Sequence, residues 1–158
     1  MKAKKRAIFL AAVLVLFLAA VTGIFRVRAG QRNLVIENLE SGEVYVKVRV
    51  KPGDEVSFGW EHSFEHIPWN EYYEIKEDGA SLLHTISVAG FGAGIPAEMD
   101  CTYRYEDGLI YMDGIESEFP QFNWFNSQTQ LKFINLNGNL LITGADMPQH
   151  EKIVLRST

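Results

Sequence analysis

Hydrophobic and polar residues alternate along much of the chain after position 30. In residues 43–50, four valines alternate with Glu43, Tyr45, Lys47 and Arg49. A period of two is typical of a β-strand with one buried face. The same criterion, together with turn residues between the segments, predicts short strands at 33–38, 43–50, 55–60, 71–76, 81–89, 103–106, 109–112, 131–136, 140–143 and 153–155.

Turn signals separate these segments. Asp107-Gly108 and Asn137-Gly138-Asn139 are typical of β-hairpins, because these residues tolerate positive φ angles. Pro68 cannot donate to a sheet, so the strand around Trp60 should end before it and residues 65–67 should form a loop. No helical stripe follows the N-terminal segment. The pattern therefore predicts an all-β fold, either an antiparallel β-sandwich or a small barrel, preceded by one N-terminal hydrophobic helix.

The first 29 residues are typical of a targeting segment. Lys2, Lys4, Lys5 and Arg6 precede an uncharged run at 7–25, which as a helix would span about 28 Å. The basic start favours a cytoplasmic N-terminus and export of residues 30–158 as one extracytoplasmic β domain. Two interpretations stay open: a cleaved signal peptide, with a small-x-small site at 27–29, or an uncleaved membrane anchor. Cleavage would leave a secreted or periplasmic protein, and retention a domain at the extracytoplasmic face of the cell membrane.

Charge and cysteine content narrow the function. All 20 acidic residues and nine of the 15 basic ones follow position 29, so the exported part carries a net charge of −11. Such a domain repels nucleic acid, and we expect no nucleic-acid partner. Cys101 is the single cysteine, so no internal disulfide can form, and a buried, unreactive thiol is the default expectation.

Residues 58–75 combine large aromatic rings with titratable groups more densely than any other segment. They include two tryptophans, two histidines, four glutamates and Pro68. Val56, Phe58 and Trp60 should face one side of a strand, and His62 would continue that row if the strand ran on. A polar loop held between aromatic anchors is a common form of binding site.

Three chemical interpretations of this stretch remain open. His62 and His66 with Glu65 or Glu71 could hold a metal, although the spacing matches no standard motif. Ser63, like Cys101, could be a hydrolase nucleophile, but adjacent strand residues face opposite sides and the glycine-framed elbow is absent. The carboxylates could instead pin the loop structurally. The sequence indicates no cofactor and no catalytic residue.

A glycine-rich segment at 89–96 is the second candidate. Gly90, Gly92 and Gly94 free the backbone, so consecutive N–H groups could form a concave anion site. Without a following helix or a lysine, phosphate binding has little support, and a tight crossover is the alternative.

The sequence resembles a known bacterial family at these two segments. His62-Ser63-Phe64-Glu65, then Pro68 with Glu71, then Phe91 to Pro96, are similar to the pattern of the family called domain of unknown function 1850. The resemblance implies a small exported or membrane-anchored protein. Genes of this family often lie beside TAXI-type TRAP transporters, which take up small organic acids, so it also implies a TRAP-type permease or its solute-binding protein as partner.

These observations lead to one expected function and one alternative. The first is an exported accessory protein of a TRAP-type transport system, acting by binding rather than catalysis. The alternative is an extracytoplasmic module for a small ligand or metal. Either requires the two segments to meet, and we expect the ligand-binding residues to be Trp60, His62, Ser63, Glu65, Trp69, Glu71, Phe91, Gly92 and Gly94.

Overall fold

The computed structural model describes Phe17 and residues 32–92, 94–95 and 98–158. Arg32–Thr158 form one compact unit. Its strands are β1 (Arg32–Asn38), β2 (Val44–Val50), β3 (Glu55–Glu61), β4 (Pro68–Ile75), β5 (Ser81–Val88), β6 (Thr102–Glu106), β7 (Leu109–Phe119), β8 (Gln121–Phe125), β9 (Leu131–Leu136), β10 (Asn139–Ile142) and β11 (Lys152–Ser157).

The strands form two antiparallel sheets. The smaller has the order β2-β1-β11-β8, and the larger has the order β10-β9-β3-β4-β5-β7-β6. The predicted all-β antiparallel fold is confirmed, and the two sheets make it a sandwich. The predicted N-terminal helix and the two interpretations of 1–29 fall, apart from Phe17, outside the described residues. Within the described part of the chain, no helix is long and apolar enough to cross a membrane.

Side chains from the inner faces of both sheets share one core. Leu34, Ile36 and Leu155 come from the smaller sheet, and Val56 and Ile134 come from the larger one. All five are at most 1 % exposed. In β3, Val56 and Phe58 alternate with Glu55 and Ser57, because a period of two puts one row of side chains inside, whereas 34–36 of β1 and 153–155 of β11 are continuous buried apolar runs.

The predicted hairpins are confirmed. Asp107 and Gly108 have φ angles of 49° and 77°, and Asn137 and Gly138 have 50° and 76°. Positive φ at both central residues belongs to the type I′ turn, whose twist matches that of antiparallel strands.

The strand around Trp60 ends before Pro68 and residues 65–67 lie in a loop, as predicted, but the next strand begins three residues before the predicted start at 71. Pro68 is the first residue of β4, opposite Glu61 of β3. A proline fits there because the first residue of a strand need not donate to the ladder. The strand does not run on through His62, because β3 ends at Glu61 and the chain turns at His62.

The segment from Asp113 to Phe125 contains more strand structure than the sequence pattern predicts. β7 continues past Met112 to Phe119, bending at Gly114 with a φ of 84°. After Pro120, β8 crosses into the other sheet and pairs with β11. The bend and the crossover break the period of two, so the sequence pattern alone did not mark these strands.

Candidate functional site

The segment between β3 and β4, residues 62–67, is called here the histidine loop, and its own groups hold it closed. His62 N–H donates to Ile67 O at 2.8 Å, and His66 N–H donates to His62 O at 2.9 Å. The Glu65 N–H donates to His62 Nδ1 at 3.1 Å. Because an accepting ring nitrogen carries no proton, the neutral His62 ring holds its proton on Nε2.

His62 connects the loop to a buried hydrogen-bond network. Its ring stacks on Trp69 with centroids 6.0 Å apart and planes 15° from parallel. Trp69 Nε1 donates to Glu71 Oε1 at 3.1 Å, and Tyr73 OH donates to Glu71 Oε2 at 3.0 Å. Trp60, from β3, is a further hydrogen-bond partner of Glu71. Alternate residues of β4 thus place the Glu71 carboxylate between Trp69 and Tyr73, and Trp60 from the neighbouring strand β3 is the third aromatic side chain around it.

Burial changes the acid–base properties of this network. It raises the pKa of Glu71, although the hydrogen bonds from Tyr73, Trp69 and Trp60 favour the ionised form and act in the opposite direction. Burial also raises the pKa of Tyr73 well above its usual range, and the adjacent Glu71 carboxylate raises it further. Tyr73 therefore stays protonated and donates to Glu71 at every physiological pH.

Aromatic rings from both sheets form a wall behind Glu71. Phe58 packs edge-on against Phe122 at 5.6 Å and against Trp124 at 5.8 Å, and Trp60 meets Trp124 at 6.4 Å. Edge-to-face packing at these separations holds rings in place. Trp124 Nε1 is buried, and no hydrogen-bond partner for it lies among the described residues.

The glycine segment meets the histidine loop, as expected. A Cβ added to Gly92 would lie 2.8 Å from Glu65 Cγ and closer still to the Glu65 carboxylate. A Cβ added to Gly90 would lie 4.0 Å from Ile67 Cδ1. The Glu65 side chain therefore rests on the backbone at Gly92, in space that any residue other than glycine would fill.

Two exposed aromatic rings flank this contact. Phe64, beside Glu65 in the loop, is 73 % exposed, and Phe91, beside Gly92, is 43 % exposed. Phe91 also meets Tyr103 of β6 edge-on at 6.4 Å. We call Phe64, Glu65, Phe91 and Gly92 the loop–glycine surface.

A shallow depression of about 330 Å³ lies beside the histidine loop on the outer face of the larger sheet. Glu61 lines it, 2.9 Å from Lys132 Nζ and 3.4 Å from His66 Nδ1. Lys132 and, to a smaller extent, His66 lower the pKa of the Glu61 carboxyl. The rest of its lining includes polar Asn70 and the apolar side chains Trp60, Pro68 and Phe133.

The expected site residues divide into two groups. Trp60, His62, Trp69 and Glu71 belong to one connected network, whereas Glu65, Phe91 and Gly92 belong to the loop–glycine surface that adjoins it. Ser63 is exposed and no hydrogen bond joins it to a histidine or carboxylate of the described residues, and a Cβ on Gly94 would meet nothing within 4 Å.

The metal interpretation has no geometric support. His66 turns to Glu61, while Glu71 is held by Trp69 and Tyr73. Across residues 32–92, 94–95 and 98–158, no group of three or more His, Cys, Asp or Glu side chains could hold a metal ion.

Sequence reasoning missed Tyr73 and Lys132. Tyr73 could have been found, because Trp69, Glu71 and Tyr73 follow a period of two and must share one face of a strand. Lys132 could not, because it approaches Glu61 only through the pairing of β3 with β9.

A second polar cluster lies on the outer face of β5 to β7, and its polar groups are hydrogen-bonded to one another. Asp113 accepts from Thr85 Oγ1 at 2.9 Å and from Arg104 Nε at 3.2 Å, and Arg104 covers the Tyr111 ring at 4.1 Å. His84 Nδ1 lies 2.9 Å from Thr85 Oγ1. These groups stabilise neighbouring strands, and each already has a partner.

Together, the fold and this surface define a two-sheet β domain whose histidine loop and glycine segment form one face. The model of a protein family described as "Domain of unknown function (DUF1850)" matches residues 56–140, more than half of the chain. The chain belongs to this family. The matched region runs from β3 into β10 and contains both segments. Comparisons with the curated proteins and with the solved structures give no match.

Proposed function

We propose that the protein is an exported, membrane-anchored accessory of a TRAP-type organic-acid transport system, and that it acts by binding rather than catalysis. Its partner is the permease or the solute-binding protein. The choice of transport system rests on the family resemblance and on the targeting segment at 1–29. The contact of Glu65 with Gly92, which joins the two family motifs into one surface, is the observation that carries the binding role.

The chemistry of the loop–glycine surface supports a protein partner. Phenylalanine is one of the aromatic residues enriched at protein–protein interfaces, and the exposed Phe64 and Phe91 adjoin in sequence the two residues, Glu65 and Gly92, that are in contact. Their surroundings are rigid, since the loop is closed by its own hydrogen bonds and rests on Trp69. A preorganised surface loses little conformational entropy on docking.

The same geometry gives little support to catalysis. A serine nucleophile needs a base within hydrogen-bond reach, and Ser63 has none among the described residues. His62 uses Nδ1 to close its own loop, and Glu71 is engaged by Trp69 and Tyr73. Both residues hold the binding surface in place.

The test is recovery of partners from native membranes by cross-linking and pull-down of the full-length protein. We expect a TRAP-type permease or its solute-binding protein to be recovered, and Phe64→Ser and Phe91→Ser to lose it. Leu140→Ser is the matched control, because Leu140 is 62 % exposed on β10, outside this surface. Absence of both partners, or equal recovery with all three variants, would refute the proposal.

The depression around Glu61 favours a second candidate, an extracytoplasmic small-ligand module. Its volume of about 330 Å³ fits a small polar molecule, and Lys132 provides a positive charge and His66 a ring nitrogen for hydrogen bonding to a carboxylate. Succinate, malate and glutamate would be tested by thermal unfolding; a ligand at 100 times its Kd adds about 2.7 kcal/mol. A shift that Lys132→Met abolishes would support this candidate, and no shift with any acid would reject it.

A further inference from the structure

Among the described residues, no strand pairs with the outer edge of β8, and this edge lacks the usual protection against further pairing. Strand β8 is the last of the described strands in the smaller sheet, and its register with β11 is continuous. Natural sheets protect such edges with charged residues, proline, bulges or very short strands. Residues 121–125 contain no charged residue and no proline, and Phe125 is 70 % exposed.

The other three edges are protected. Edge strand β2 carries Lys47 and Arg49, and β6 carries Arg104 and Glu106. β10 has four residues and an irregular register with β9. Among the described strands, β8 is therefore the one edge that combines regular pairing with a neutral sequence.

The backbone groups that point away from β11 can be identified. Asn126 N–H donates to Glu151 O, so Asn126 and each second residue before it, Trp124 and Phe122, turn their backbone groups to β11. The intervening residues Gln121, Asn123 and Phe125 turn theirs to the free edge. No hydrogen bond of the described residues occupies these groups.

We propose that β8 pairs antiparallel with β8 of a second copy of this chain, about a two-fold axis at Asn123. Gln121 then lies opposite Phe125 of the other copy, and Asn123 lies opposite its own equivalent. All three residues that face the edge fall in hydrogen-bonded pairs, which gives about six inter-chain hydrogen bonds. The two smaller sheets become one continuous sheet.

The β8 strand itself sets no like charges against a second copy. No charged side chain of β8 meets its own equivalent across the axis, which is the juxtaposition that would oppose self-pairing. Lys152 and Arg156 lie on β11, the neighbour of β8. In the proposed dimer, the β11 strands of the two copies are separated by three strand spacings, about 14 Å, and so are these basic residues. That distance exceeds the Debye length of about 8 Å at physiological ionic strength. A strand from a different protein would not need a register that is symmetric about Asn123.

The test uses the full-length protein in detergent, with Cys101→Ser removing the native thiol. Asn123→Cys places two thiols on the same face of adjacent strands, so a short bismaleimide should give covalent dimers. Val44→Cys, on the opposite edge of the same sheet and 49 % exposed, is the control and should not cross-link. Asn123→Lys sets like charges against each other, and its mass by sedimentation should fall to that of a monomer, while Val44→Lys stays dimeric.

Each result decides the proposal. A monomer at the highest soluble concentration, a dimer that Val44→Cys captures, or a dimer that Asn123→Lys leaves intact would overturn it. Cross-linking of Asn123→Cys to another membrane protein would assign the edge to a different partner and overturn it as well. These outcomes are independent of the transporter proposal, which depends on Phe64 and Phe91.

Discussion

The contact between Glu65 and Gly92 can be measured as a coupling free energy. In Gly92→Ala, the new Cβ would occupy the space of the Glu65 carboxylate, so that flexible side chain must leave. The expected destabilisation is the free energy of the interactions that the Glu65 side chain makes in its present position, about 1 kcal/mol for a partly exposed polar side chain. Glu65→Ala should cost about the same, because it removes the same interactions.

The double variant separates this reasoning from a general effect of adding a methyl group. Once Glu65 is alanine, the Cβ at Gly92 meets no carboxylate, so Glu65→Ala/Gly92→Ala should be about as stable as Glu65→Ala alone. The coupling free energy is then about 1 kcal/mol, which is measurable by urea unfolding. In a domain of this size it corresponds to a Tm difference of about 3–5 °C.

Gly90→Ala is the matched control. Its Cβ would lie 4.0 Å from Ile67 Cδ1, an ordinary van der Waals distance, so we expect a small effect and no coupling to Glu65→Ala. If Gly92→Ala destabilises the protein equally with and without the Glu65 side chain, the two segments do not meet there. The loop–glycine surface would then have no structural basis.

Two further predictions concern buried polar groups. Burial raises the pKa of Glu71 in the folded protein above its value in the unfolded chain. The contribution of Glu71 to the free energy of unfolding is therefore complete below about pH 4 and is lost as the pH rises through the folded-state pKa. The loss is about 1.4 kcal/mol per unit of pKa shift. Glu71→Gln lacks this titration, so its unfolding free energy relative to wild type should increase from pH 4 to about pH 8; parallel pH profiles would contradict this. Asn126, 1 % exposed, donates through Nδ2 to the carbonyls of Gly144, Met147 and Pro148 at 2.9, 3.1 and 3.0 Å. Asn126→Ala should cost about 1–3 kcal/mol in urea unfolding, and Asn126→Asp should cost more, because a carboxylate would face three acceptors; equal effects would refute the donor role.

The sequence predicted the strands best where one face of a strand is buried and the other is solvated. The β2 pattern is such a case, and so are the hairpins at Asp107-Gly108 and Asn137-Gly138, whose positive φ angles need particular residues. Prediction placed the start of β4 at 71 rather than at Pro68, because a proline at the first position of a strand and a proline in a loop look alike in sequence. It failed between Asp113 and Phe125 because the bend at Gly114 and the change of sheet interrupt the period.

Prediction of the site likewise succeeded for some residues and failed for others. The sequence selected Trp60, His62, Trp69 and Glu71 from their density of rings and charges, and these four residues lie in one network. It could not separate Ser63, which is exposed, from its neighbours, because the direction of a side chain in a loop depends on the hydrogen bonds that close the loop.

By itself, the sequence determined the all-β antiparallel class, the hairpin turns and the two segments that carry the family pattern. These are local properties, fixed by period, by backbone preference and by residue type. Only the tertiary structure decided that Glu65 rests on Gly92, that Lys132 faces Glu61 and that β8 is the last of the described strands in its sheet. Each of these depends on strand order and register, which bring together residues distant in the chain and which no local pattern encodes.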